Sequence, residues 1–214
     1  MRKLLEDIAA GRVEPREGVE RLRRLPFEST GEATIDHHRA LRCGFPEVIF
    51  GEGKTDDQML SIFNRLAQAG ADVLATRVTP TAAAAVLATH PDAHHHRTAR
   101  ALTLRRSPPA PQTGGYVGIV AAGTSDLPVA EEARVTAEIM GARVQTLYDV
   151  GVAGLHRLLA RSRFLREADV LVVAAGMEGA LPSVVGGLVE APVIAVPTSV
   201  GYGASFGGVA ALLG

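Results

Sequence analysis

In AAGMEGALP, residues 174–182, a single carboxylate, Glu178, follows a glycine-methionine pair at the end of an apolar run. Two chemistries suit it. It can face the dipole at the start of the next helix. Alternatively, a carboxylate held among apolar groups at a strand end gains proton affinity and suits proton transfer. The spacing fits neither a G-x-G-x-x-G fingerprint nor a Walker loop, and no lysine follows. Gly176, Met177 and Gly179 therefore frame Glu178 without forming a phosphate loop of their own.

Two further stretches offer polar groups after apolar runs. In AAGTSDLP, residues 121–128, Thr124, Ser125 and Asp126 can cap a helix or form a polar floor for a ribose and phosphate. In VPTSVGYGASFGG, residues 196–208, Ser199, Tyr202 and Ser205 supply hydroxyls among glycines that include Gly201 and Gly203. That segment fits a backbone cradle for an anion and equally a close-packed subunit interface.

Upstream, DHHRALRCGFPEVIFGEGKT, residues 36–55, gathers Asp36, Arg39, Arg42 and Lys54, whose chemistry suits an anionic nucleotide or a solvated surface. Lys3 and Lys54 are the only lysines. His37 and His38 are adjacent, so an extended chain points them apart, which disfavours shared chelation. The run His94–His96 lacks the spacing of a zinc ligand set and reads as a solvated strand end. No metal site is expected from these residues. Cys43, the single cysteine, excludes an internal disulfide and reads as a packed structural residue.

The elements that must position these groups alternate along the chain. Residues 1–26 read as two short helices. A strand at 47–50, a helix capped by Thr55 and ending at Gly70, a strand at 71–78, a helix from Thr79 and one strand over 94–104 follow. Residues 105–115, RRSPPAPQTGG, break every periodicity and read as a linker. Beyond it, strands are expected at 116–121, 143–148, 169–174 and 192–196, with helices at 127–140, 154–168 and 179–189. Continuous apolar strands alternating with helices imply a parallel sheet covered on both faces. Ligands in such sheets bind beyond the carboxyl ends of the strands, where AAGTSDLP, YDVG, AAGMEG and VPTSVGYGASFGG converge.

The chain has 214 residues, 47% of them hydrophobic and 21% charged, enough for a real core in one or two domains. A net charge of −1 gives no reason to expect nucleic acid or an anionic membrane as partner. No apolar run approaches the ~20 residues that span a bilayer, and the N-terminus does not read as a signal peptide. A cytoplasmic enzyme or binding protein is the default expectation. The apolar segment SFGGVAALLG suggests burial against a neighbouring subunit.

Taken together, GTSDLPVAEEA, AAGMEGALPSVVGGLVEAPVIAVPTSVGYGASFGG and DHHRALRCGFPEVIFGEGKT resemble the LarB family of nickel-pincer nucleotide biosynthesis. The C-terminal half of that family is similar to PurE, the aminoimidazole ribonucleotide carboxylase. The resemblance implies an α/β fold: a flavodoxin-like three-layer αβα parallel sheet over 111–214, preceded by a smaller α/β N-terminal domain over 1–110. It implies carboxylation of the pyridinium ring of nicotinic acid adenine dinucleotide at C5, with hydrolysis of the phosphoanhydride to the biscarboxylated mononucleotide and AMP. No tightly bound cofactor is implied; CO2 or bicarbonate is a substrate and Mg2+ an optional ion. By position, Glu178 matches the family's proton-abstracting glutamate, and the glycines beside it would clear space for a planar ring. Ser125 and Asp126, with Thr124, match the ribose- and phosphate-binding turn, and Asp126 joins Glu178 as a catalytic candidate. Asp36, Arg39, Arg42 and Lys54 fall in the upstream nucleotide-contacting block. Gly176, Met177, Gly179, Ser199, Gly201, Tyr202 and Gly203 complete the expected substrate-binding set. The family's nucleophilic cysteine lies on a segment following GASFGGVAALLG, and Cys43 does not match it. These 214 residues are therefore expected to hold an incomplete carboxylase site with little or no turnover. PurE-like proteins assemble as octamers, so a homo-oligomer is expected. A PurE-like carboxylase of aminoimidazole ribonucleotide and a non-catalytic nucleotide-binding module remain competing readings.

Overall fold

The computed structural model describes residues 2–23, 28–29, 34–37, 39–106, 108, 114–202 and 205–214. Gly203, His38 and most of the expected linker lie outside the described residues, as does the side chain of Arg42. The N-terminal elements are α1 (Arg2–Ala9), α2 (Pro15–Arg23), β1 (Glu28–Ser29), β2 (Thr34–Ile35), α3 (Arg39–Cys43), β3 (Val48–Phe50), α4 (Asp56–Gln68), β4 (Val73–Thr76), α5 (Pro80–Thr89), β5 (His94–His96) and β6 (Ala101–Leu104). Then come β7 (Val117–Ala121), α6 (Leu127–Ile139), β8 (Val144–Leu147), α7 (Leu155–Leu159), α8 (Ser162–Glu167), β9 (Val170–Ala175), α9 (Ala180–Gly186), β10 (Val193–Pro197) and α10 (Val209–Leu213).

The first large sheet has the order β3-β4-β6-β5. Only β3 and β4 are parallel; β6 runs antiparallel to both β4 and β5. The single strand expected over 94–104 is thus a hairpin. Its two arms are joined by a turn in which Arg100 adopts φ 49°. The second sheet, β10-β9-β7-β8, is parallel throughout. The helix expected over 154–168 is two helices, broken at Ala160–Arg161, with Leu158 and Leu165 both anchored in one core.

Local chemistry accounts for the best-defined helix starts. Thr55 and Gln58 form a reciprocal capping box at α4, and the Thr79 hydroxyl accepts the Ala82 N–H at α5. Strand parity accounts for the layers. Val73, Ala75, Leu102 and Leu104 pack against Phe63, Leu66, Ala83 and Val86 of α4 and α5. Leu74 and Ala101 point the other way, onto Val135 and Ile139 of α6. The opposite stripe of α6, Leu127 and Ala130, packs on Ile119, Ala121 and Ala174 of the second sheet. A helix apolar on two opposed faces belongs between two sheets, and α6 is that shared layer. The far face of the second sheet is closed by Leu158, Leu165, Leu181 and Val185.

The strand–helix–strand alternation and the mixed α/β class match the expectation, with the parallel sheet in the C-terminal part. Among the described residues, no helix is long and apolar enough to cross a membrane.

Candidate active site

Order β8-β7-β9-β10 means the chain leaves β7 for one neighbour and later returns to the other. The topological switch point lies between β7 and β9, and there an open α/β sheet forms its ligand crevice. Backbone hydrogen bonds extend past the strands and bind the loops of this edge together. The Ala122 N–H donates to the Ala174 carbonyl, Gly151 N–H to Ala122, Thr198 N–H to Ala175 and Met177 N–H to Val200. Four loops thus form one rim.

Thr124–Asp126 make a single tight turn before α6, whose first turn carries a proline. Thr124 and Ser125 are exposed. Asp126 is only 4% exposed. One carboxylate oxygen accepts the Gly123 N–H at 3.0 Å, and the other accepts the Thr198 hydroxyl at 2.6 Å. Asp126 therefore ties the loop after β7 to the loop after β10, across β9. Thr198, 3% exposed, was not singled out in the sequence. Its neighbour Ser199 was, and it faces solvent. The missed signal is parity: one residue along the strand end exchanges the inward hydroxyl for the outward one.

Glu178 sits in a turn closed by the Gly179 N–H on the Gly176 carbonyl, with Met177 at φ 54° and Gly179 at φ 71°. The carboxylate is exposed, so this chain alone does not hold it among apolar groups as expected. Nor does it cap α9, whose N-cap is Gly179 and makes no side-chain capping bond. At Gly176 and Gly179 the space that a side chain would fill is taken by backbone. A Cβ on Gly176 would fall 2.0 Å from the Val200 carbonyl oxygen, and one on Gly179 would fall 2.7 Å from that of Ala211. The close approach at 176 lets the loop after β10 rest on the turn, and that at 179 seats α10. Gly201 packs beside Ser205, which is buried, while Tyr202 is 81% exposed.

The upstream block is divided by β3. The Asp36 N–H donates to the Glu47 carboxylate just before the strand, whereas Lys54 follows it in a turn closed on the Gly51 carbonyl. Arg39 is exposed at the start of α3. Lys54 alone of this set stands at a strand carboxyl end. Cys43, expected to be packed, is exposed at the end of α3. Among the described residues, no cluster of three or more His, Cys, Asp or Glu side chains could hold a metal ion.

A second polar network flanks α6. Arg134 bridges Glu131 at 2.8 Å and Glu138 at 2.7 Å, and the Tyr148 hydroxyl donates to Glu131 at 2.5 Å. Burial pushes the Glu131 carboxyl up, but Arg134 and Tyr148 outweigh it and leave the group below its ordinary range. Burial and that same hydrogen bond raise the Tyr148 phenol. Between α6 and the β5–β6 hairpin lies a cavity of about 160 Å³ lined by His96, Thr103, Arg105, Val135, Glu138 and Ile139. Burial, with His94 and Arg134 nearby, lowers His96 to about 4. Its Nε2 pairs with the Thr103 hydroxyl at 2.9 Å.

This architecture is that of a doubly wound α/β protein with its polar crevice at the switch point and an added α/β unit in front. Residues 116–214 match the family model described as AIR carboxylase, and residues 27–106 match the one described as LarB/PurE-like N-terminal domain. An uncharacterized protein of Methanocaldococcus jannaschii is 41% identical over 177 residues, covering 79% of this chain and 69% of that protein. The chain belongs to the LarB family of PurE-like carboxylases, with an AIR-carboxylase-type C-terminal domain.

Proposed function

We propose that this protein carboxylates the pyridinium ring of nicotinic acid adenine dinucleotide at C5 and hydrolyses its phosphoanhydride. The products are pyridinium-3,5-biscarboxylic acid mononucleotide and AMP, as the first step of nickel-pincer nucleotide synthesis. The observation that carries the reading is the pairing of two units on α6. An AIR-carboxylase-type crevice with one outward carboxylate stands beside an N-terminal unit that an aminoimidazole ribonucleotide has no second half to engage.

A pyridinium ring is electron-poor and does not attack CO2. In the family a cysteine thiolate, which Cys43 does not match by position, adds to the ring, supplies the electron pair and makes C5 nucleophilic. C5 then forms a bond to CO2. Glu178 removes the C5 proton, the C–H pair restores the aromatic ring, and the C–S pair leaves with the thiolate. No oxidant or reductant is needed. Water separately cleaves the phosphoanhydride. The hydroxyls of Thr124 and Ser125, exposed on the turn, would meet the ribose and phosphate of the mononucleotide half, while Asp126 keeps their turn in register. No tightly bound cofactor is invoked, and Mg2+ would serve only the diphosphate.

A homo-oligomer, an octamer by the PurE pattern, suits the exposed apolar residues Ile194, Phe206, Val209, Leu212 and Leu213 at the β10 edge and α10. Because α10 seats on the Glu178–Gly179 backbone, a neighbouring copy on this surface would give Glu178 the dry surroundings that proton transfer favours. A cytoplasmic setting fits the substrate.

Calorimetric titration with nicotinic acid adenine dinucleotide and, separately, aminoimidazole ribonucleotide tests the reading. Tighter binding of the dinucleotide is expected. Preference for the ribonucleotide favours a purine-pathway carboxylase, and binding of neither removes both readings.

A further inference from the structure

Arg77 follows β4 with φ 55°, a left-handed backbone that a side chain larger than glycine adopts at a cost. Its carbonyl and that of Thr76 lie 3.0 and 2.8 Å from where a Cβ on Gly51 would stand, so the turn after β3 is pressed against this corner. The Gly51 N–H donates to the Thr76 carbonyl, and Lys54 closes the turn on Gly51. From the same corner the Arg77 guanidinium reaches in two directions. Its Nε donates to Glu132 on α6 at 2.8 Å, across 55 residues of sequence, and Nη1 lies 3.8 Å from Glu52 in the Gly51–Lys54 turn.

The direction of β4 gives this corner its meaning. Leu74, near the start of β4, packs on Val135 and Ile139 in the last turns of α6, while Arg77, past its end, meets Glu132 nearer the helix start. β4 therefore runs against α6, which itself leads away from the carboxyl end of β7. The carboxyl ends of β3 and β4 and of the parallel second sheet open on the same side, at the start of the shared helix. The Lys54 turn and the Thr124–Asp126 turn flank one helix end.

We propose that Arg77 is a positioning residue that holds the Gly51–Lys54 turn beside the switch-point crevice. By doing so it makes the N-terminal unit a clamp for the second phosphate-bearing half of a two-part nucleotide. The selectivity part rests on the dinucleotide reading above; the positioning part does not. Lys54 supplies the positive charge, and Arg77, engaged by two carboxylates, fixes where that charge stands. Sequence alone gives no sign of this role, since its partner Glu132 lies 55 residues away.

Hydrogen exchange of the intact chain tests positioning without any nucleotide. The Lys54 amide should exchange about tenfold faster in Arg77→Ala than in the unmodified protein. Glu52→Gln, at an exposed residue, should reproduce part of that gain with the fold undisturbed. Calorimetry then tests selectivity with the dinucleotide and with nicotinic acid mononucleotide. Arg77→Ala is expected to weaken the dinucleotide about tenfold, a change of roughly 1.4 kcal/mol, and to leave the mononucleotide unchanged. Arg77→Lys should restore only part of the loss, because an ammonium cannot span both carboxylates. Unchanged exchange at residues 52–55 in both variants overturns the positioning role. Equal weakening of both ligands overturns the clamp. Failure of the unmodified protein to bind either nucleotide overturns the dinucleotide reading, and with it the clamp, and leaves the positioning role decided by exchange.

Discussion

Thr198→Val removes one hydroxyl and almost no volume, so it isolates the bond that joins the loops after β7 and β10. In the native protein Asp126, 4% exposed, has two partners: the Gly123 N–H at 3.0 Å and the Thr198 hydroxyl at 2.6 Å. The substitution leaves a buried carboxylate oxygen facing a methyl group. A hydrogen bond to a charged group contributes about 1.5–3 kcal/mol, and an orphaned buried acceptor sits at the upper part of that range. A loss of about 2–3 kcal/mol is expected, or roughly 4–12 °C in Tm for a chain of this size. Thr198→Ser, which keeps the hydroxyl, should recover most of it. Denaturant unfolding followed by circular dichroism measures the difference, with unchanged m values showing that stability alone has moved. A loss below about 0.5 kcal/mol would show that the Asp126–Thr198 bond is no stronger than the water contacts it replaces.

Gly176→Ala should destabilise by about 2–3 kcal/mol, since its Cβ would stand 2.0 Å from the Val200 carbonyl and only a backbone shift relieves that overlap; thermal unfolding checks it, and near-native stability would mean that the loop after β10 is not fixed there. Acid should weaken the packing of α6 on the β5–β6 hairpin. Folded His96 is held to about 4 against an ordinary 6.5 by burial and by His94 and Arg134, with Glu131 opposing them. The unfolded chain therefore binds the extra proton first, and stability present above pH 6.5 is lost as pH falls through 4. Discounted for partial solvent access, the loss is about 1–2 kcal/mol. Urea unfolding between pH 7 and 4 should show it, and His96→Gln should flatten the slope; an unchanged slope would assign the acid loss elsewhere.

Much of the frame is written locally. Thr55 with Gln58 marks the start of α4, and continuous Val, Ile and Ala runs mark a sheet covered on both faces. Other features depend on residues distant in sequence. The Asp126–Thr198 bond spans 72 residues and the Arg77–Glu132 pair spans 55, so no window of sequence contains either. The break between α7 and α8 has no glycine or proline; Leu158 and Leu165 are both drawn into one core, and packing overrides propensity there. The hairpin within 94–104 was hidden because Arg97–Arg100 carries no standard turn residue. Glu178 was legible as a carboxylate just past the end of β9. Its exposure was not, because the surface beside it is apolar and formed partly by α10, far along the chain.

On the proposed reading one dinucleotide would lie across the start of α6, with its nicotinate ring at the Glu178 turn and its adenylate half toward Lys54. A crystal structure of the chain with nicotinic acid adenine dinucleotide bound tests this directly. Ring carbon C5 is expected within reach of the Glu178 carboxylate, with a phosphate near Thr124 and Ser125. A dinucleotide seated elsewhere, or one whose ring points away from the β7–β9 switch point, would contradict it.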